Sequence, residues 1–205
     1  MTKMFRATEE SGRSMVEMLG VLAIVGVLSI GGITGYSKAM AKYKVNKTLD
    51  QVSMLITNIR TTFGNQVSYY GLTNAMIVNY GLVENDLTQG KTDGTLKNSY
   101  QGEVKVAAAD CDNTDATYCP AFSISFDELP ASACVTILSS DWGGSSASGL
   151  VSITVNTAAA TTGGTEFKWG ATSNKLPISA SDALTSCQES TGNEGKGKLI
   201  TWKYN

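Results

Sequence analysis

The chain has 205 residues, 16 basic and 18 acidic, with a formal net charge of -2 and no histidine. That near-neutral balance gives no global attraction for nucleic acid, and the missing histidine removes the usual catalytic base. Glycine is frequent, at 21 residues, and Ala, Ser and Thr crowd the second half, which suits an exported domain with many turns.

The first element is the stretch from Arg13 to Tyr36. Between Met18 and Ser37 it carries no charge and is rich in Leu, Val and Ile. As a helix this run measures about 30 Å, one hydrocarbon thickness. A single acid, Glu17, stands at its head, where a carboxylate in hydrocarbon is costly unless paired or neutralised. Three readings fit a leader with Lys3 and Arg6 followed by such a run. One is a secretory signal peptide cut near Ser29, Gly31 or Gly32, and another is a plain membrane anchor. The third needs Glu17 to have a purpose. Gly20, Gly26, Gly31, Gly32 and Gly35 favour close helix packing, or a locally softened stretch around Gly31–Gly35.

The helix is expected to continue to Phe63, about 75 Å in all. Tyr36, Met40, Tyr43, Leu49, Val52, Ile56, Ile59 and Phe63 recur at spacings of three and four, with Leu55 widening the stripe. Asn46, Lys47, Asp50, Gln51 and Asn58 fall off it. Lys38, Lys42 and Lys44 follow the apolar run and mark its end at a bilayer surface. Lysines conventionally stay cytoplasmic, so these three oppose an orientation with the C-terminal part outside, while Lys3, Arg6 and Arg13 favour it.

Gly64 ends this spine, and residues 73–79 make a short helical turn between Gly71 and Gly81. Residues 64–102 read as a linker, with Asp93-Gly94 as a turn. Residues 103–205 read as a β-rich domain. Its strands are Glu103–Ala107, Ala121–Phe126, Leu150–Val155, Glu166–Trp169 and Leu199–Tyr204, the first two and the last alternating. A helix opened by Pro130 runs to about Ser140 with Cys134, Ile137 and Leu138 on one face. The fold class is therefore α+β.

The four cysteines are Cys111, Cys119, Cys134 and Cys187. An even count behind an export signal reads as two disulfides, with three connectivities open. Cys111 and Cys119 bracket a polar loop that suits a small disulfide-closed excursion. No CxxC knuckle is present, and Asp110, Asp112 and Asp115 lack the EF-hand pattern, so no metal or cofactor is expected. Gly195-Lys196-Gly197-Lys198 reads as a solvated turn, without the aromatic interleaving of a nucleic-acid contact. With no catalytic constellation, an enzyme is not expected.

Gly12-Arg13-Ser14-Met15-Val16-Glu17, followed at once by MLGVLAIVGVLS, closely resembles the N-terminus of type IV prepilins. The resemblance implies a 12-residue leader removed after Gly12 by a prepilin peptidase that then methylates the amine of Arg13. It makes Glu17 the fifth mature residue, which pairs with the N-terminal amine of a neighbouring copy. Leu129 to Cys134, a short helix, a late Cys187 and a terminal aromatic strand resemble the type IVb branch. That implies Cys134–Cys187, leaving Cys111–Cys119.

The family fold is a spine helix (13–63) packed on an antiparallel sheet. The implied function is major subunit of an extracellular filament. Such filaments serve adhesion, aggregation, mating contact or DNA transfer. A minor pilin, a secretion pseudopilin and a monomeric membrane-anchored domain are the alternatives. Partners implied are further copies of the chain, the peptidase, an inner-membrane assembly platform and, before assembly, the bilayer, with the C-terminal domain on the outer side.

Overall fold

The computed structural model describes residues 11–112, 117–143, 146–158, 163–188 and 197–205. Helix α1 is unbroken over Ser11–Phe63, as the apolar periodicity and the Gly64 stop require. Two compact units divide at Tyr43 and Lys44, so the helix contributes to both. In the first unit it has no buried residue from Met15 to Tyr43.

In the second unit, the sheet orders its strands β1-β2-β5-β3-β4, every pair antiparallel. The strands are β1 Val104–Ala109, β2 Ala121–Leu129, β3 Leu150–Thr157, β4 Thr165–Lys168 and β5 Lys198–Tyr204. The last strand in sequence is thus the middle of the sheet. Period-two alternation puts one apolar row across all five strands, Val106, Ile124, Trp202, Ile153 and Phe167, and all five are buried. A parallel row runs Val104, Phe126, Ile200, Val155. Val52, Leu55, Ile59 and Phe63 of α1 join the same core.

The helical stripe is offset from the one the sequence suggests. Its centre is Val52-Leu55-Ile59-Phe63, and it extends back through Thr48 and Gln51, which are 0% and 2% exposed. Gln51 therefore lies on the buried face, not off it. Thr48 tolerates burial because its hydroxyl donates to the Lys44 carbonyl, 2.9 Å away.

Helix α2 (Asn74–Asn79) starts on Thr73, whose hydroxyl accepts from Met76 N–H. Helix α3 (Asn85–Thr88) and helix α5 (Ala180–Cys187) were not anticipated. Helix α4 (Ala131–Leu138) follows Pro130 and buries Ala133, Cys134, Ile137 and Leu138. The turn at Asp93-Gly94 is present: Gly94 has φ +84°, and Asp93 Oδ1 accepts from Thr95 N–H at 2.8 Å.

A second expectation fails. Lys198 opens β5 and is 4% exposed, where a solvated turn was read. Its Nζ donates to the Gln188 carbonyl at 2.6 Å, at the C-terminal end of α5, where a cation is favoured. Gly195 and Lys196 of that reading, with Asp115 and the leader residues 1–10, lie outside the described residues.

Two glycines are needed beside the irregularity in β2. The register shifts between Phe126 and Leu129, and Glu128 has φ +57°. A Cβ at Gly102 would strike the Asp127 carbonyl from one side, and a Cβ at Gly197 would strike the Glu128 backbone from the other. The bulged strand is gripped where no side chain fits.

Candidate assembly surface

A surface that drives association leaves apolar area in water. A free sheet edge is one route to chain association. Here the outer edge of β1 is occupied by the linker. Val104 N–H donates to Leu96 O at 3.0 Å and Ala108 N–H to Leu72 O at 3.3 Å. Between them the Asn74 side chain imitates a peptide, donating to Val104 O at 2.8 Å and accepting from Val106 N–H at 2.7 Å. At the opposite edge, Lys168 of β4 gives its N–H to Asn174 O and receives Leu176 N–H.

The linker is itself tied down. Asn98, 2% exposed, accepts from the N–H groups of Tyr100 and Gly102 and donates to Asp127 O. Asn58 of α1 donates to Leu82 O at 2.7 Å, Lys47 pairs with Asp86, and Lys44 lies 5.4 Å from the centre of the Tyr100 ring. Burial pushes the Tyr100 phenol above its usual range.

Arg60 fastens the C-terminal strand to α1. Its guanidinium donates to Ser148 O at 2.7 Å and Asn205 O at 3.0 Å, and lies 4.9 Å over the Tyr204 ring. Burial raises the Tyr204 phenol to about 12, with Arg60 pulling the other way. Tyr204 continues an aromatic run through Phe122 and Tyr69 to Phe63.

The structure joins Cys134 to Cys187 and Cys111 to Cys119. The first bond links α4 to α5. The second closes a loop that Ser68 also holds: its hydroxyl donates to Thr117 O and accepts from the N–H groups of Cys119 and Tyr70. Sequence reading missed Ser68, Asn74, Asn98 and Arg60, because a polar residue serving a distant backbone group has no local periodicity. Helix α5 did carry a signal. Ser179-Ala-Ser-Asp182 is a capping pair, with Ser179 Oγ accepting from Asp182 N–H and donating to its carboxylate.

The largest apolar surface left open among the described residues is the N-terminal part of α1. From Met15 to Ile33 every large apolar side chain is more than half exposed. Each is worth about 1.5–3 kcal/mol when taken from water. The hydroxyls in this stretch impose no lateral demand. Ser29, Thr34 and Ser37 donate to the carbonyls four residues back, at 2.7, 2.8 and 2.9 Å. Around Gly20, Gly26, Gly31, Gly32 and Gly35, a Cβ would meet nothing within 4 Å, so each leaves a notch on the helix surface. This is one helix long and apolar enough to cross a membrane.

Gly12 and Arg13 lie in the first turn of α1, and Glu17 stands exposed one turn on. Gly20, Val21 and Ile24 follow on the face of Glu17 by helical spacing. The surface is therefore apolar and notched, with one carboxylate at its head. It can enter lipid or pack against like helices. Among the described residues no group of three or more Cys, Asp or Glu side chains is placed to hold a metal.

The family model described as "PilS N terminal" matches residues 42–201. The major structural subunit of bundle-forming pilus from Escherichia coli O127:H6 (strain E2348/69 / EPEC) is 24% identical over 136 residues. That stretch is 66% of this chain and 67% of the relative. The same subunit from Escherichia coli O111:H- matches to the same extent. Among solved structures, the crystal structure of type IV b pilin from Salmonella typhi is 25% identical with a TM-score of 0.52. It covers 77% of this chain and 97% of its own.

Proposed function

The chain belongs to the PilS family of type IVb pilins, and on that premise we propose that it is the major structural subunit of a type IV pilus. It acts by assembly and not by catalysis. The observation that carries the reading is the first part of α1, where the large apolar side chains from Met15 to Ile33 stand in water while the linker covers the β1 edge of the sheet. Apolar area of that extent has two uses in one life cycle. It holds the subunit in the inner membrane, and later it drives packing against copies of itself.

Maturation follows from the residues at the head of the helix. A prepilin peptidase cuts after Gly12, a residue whose missing Cβ permits close backbone approach, and methylates the amine of Arg13. Residues 1–12 are the leader, 13–63 the spine, 64–102 the linker and 103–205 the disulfide-bonded domain. The domain lies on the outer side of the membrane, a placement supported by its two disulfides, which form in an oxidising compartment. An inner-membrane platform then extracts subunits into the filament. There Glu17 meets the N-terminal amine of a neighbour, so a charge that is costly in lipid sets the axial register.

The reading is tested by shearing filaments from cells and analysing the N-terminal mass of the dominant protein. A methylated terminus at Arg13 is expected, and Gly12→Leu is expected to leave uncut precursor in the membrane. A terminus after residues 29–35, or absence of the chain from filaments, overturns the reading.

A further inference from the structure

Four lysines, Lys38, Lys42, Lys44 and Lys47, follow the uncharged run, and no acid occurs in the sequence between Glu17 and Asp50. The structure divides these lysines into two kinds. Lys44 is spent on the Tyr100 ring and Lys47 on Asp86. Lys38 and Lys42 are exposed, with no ion-pair partner among the described residues. They are one turn apart on the same helix face. Nearby hydroxyls do not compete for a ligand, since Thr34 and Ser37 donate to their own helix. Tyr36 and Tyr43, 66% and 58% exposed, flank the pair, and such rings settle at headgroup level.

Position along the helix selects the partner. Lys38 stands about 31 Å along the axis from Glu17, one hydrocarbon thickness. A helix that spans the bilayer with Glu17 near one face therefore brings Lys38 and Lys42 into the headgroups of the other. Two ammonium groups there complement phosphodiester anions. Lysines on an outer face run against the usual charge bias of membrane helices, a cost that attraction to lipid anions offsets. We propose that Lys38 and Lys42 form a binding site for anionic phospholipid headgroups, which fixes the depth of the helix before assembly. This rests on the membrane-anchored reading above. Extraction into a filament breaks the contact, so the pair sets how firmly the bilayer retains a subunit.

The experiment uses the full chain reconstituted into vesicles of phosphatidylethanolamine with one quarter phosphatidylglycerol. Flotation confirms insertion, and native mass spectrometry after mild detergent release reads the lipids retained. The wild-type protein is expected to retain phosphatidylglycerol over phosphatidylethanolamine by about tenfold or more beyond their mixing ratio. Lys38→Gln/Lys42→Gln is expected to bring that preference to near unity. Lys91→Gln/Lys175→Gln, which removes the same charge from exposed sites elsewhere, is expected to keep it. Insertion without a phosphatidylglycerol preference overturns the inference alone, as does an equal loss in both double variants or a preference that survives Lys38→Gln/Lys42→Gln. Failure of the wild-type protein to float with vesicles overturns the anchor reading and the inference together.

Discussion

Arg60 concentrates at one side chain the problem of holding a terminal strand. It carries two hydrogen bonds to backbone carbonyls and a cation–π contact, and its planar fork suits two acceptors at once. Arg60→Ala should cost about 2 kcal/mol in urea unfolding followed by tryptophan fluorescence. Arg60→Lys should recover less than half of that, because one ammonium does not span both carbonyls. The partner ring gives a pH signature. Burial raises the folded-state Tyr204 phenol to about 12, above the unfolded value near 10. The stability it contributes is complete below pH 10 and is lost as pH rises through 12, since the unfolded chain ionises first. Thermal melts from pH 9 to 12 should therefore fall more steeply for the wild-type protein than for Tyr204→Phe. Equal slopes would assign the loss to other groups.

At the scale of elements, the two disulfides should differ in worth. By chain-entropy estimates the long closure Cys134–Cys187 is worth about 4 kcal/mol and the short closure Cys111–Cys119 about 2.5 kcal/mol. Cys134→Ser/Cys187→Ser should accordingly shift the urea midpoint further than Cys111→Ser/Cys119→Ser. A larger effect from the short loop would contradict that ordering. Elements with a strong period were legible in the sequence. α1 reads from its apolar spacing and its Gly64 stop, and β5 reads from Leu199–Tyr204. α5 was not read, because Ser, Thr and Ala dominate it and its signal lies in the Ser179–Asp182 cap. The stripe on α1 was misplaced for a related reason. Thr48 and Gln51 are polar letters on a buried face, and no hydropathy rule puts them there. Lys198 was misread because glycines around it suggest a turn, whereas Gly197 is needed to clear the bulge at Glu128.

At the scale of the whole molecule, the linker closes the β1 edge of the sheet, and among the described residues the largest apolar surface left open is the first part of α1. Asn74 seals the linker against β1, Asn98 ties it to Asp127 of β2, and residues 174–176 cover Lys168 of β4. Those closures were invisible in the sequence, because a side-chain amide replacing a strand partner depends on contacts 29 to 32 residues away. The open helix was legible because it needs nothing but composition and length. Glu17 belongs with it: the group proposed to answer its charge comes from a second copy, so its worth is read only in the filament. A lone anchor would tolerate Glu17→Leu, or gain from it, since a carboxylate near hydrocarbon is a cost.

The most direct test compares the ratio of sheared filament to membrane pool in cells expressing wild-type chain, Glu17→Gln and Glu17→Leu at equal levels. Normal insertion, cleavage and folding are expected in all three, with at least about a tenfold fall in filament for Glu17→Leu and a smaller fall for Glu17→Gln. Filament yields in both variants equal to wild type would contradict the charge pairing and leave apolar packing as the only driver of assembly.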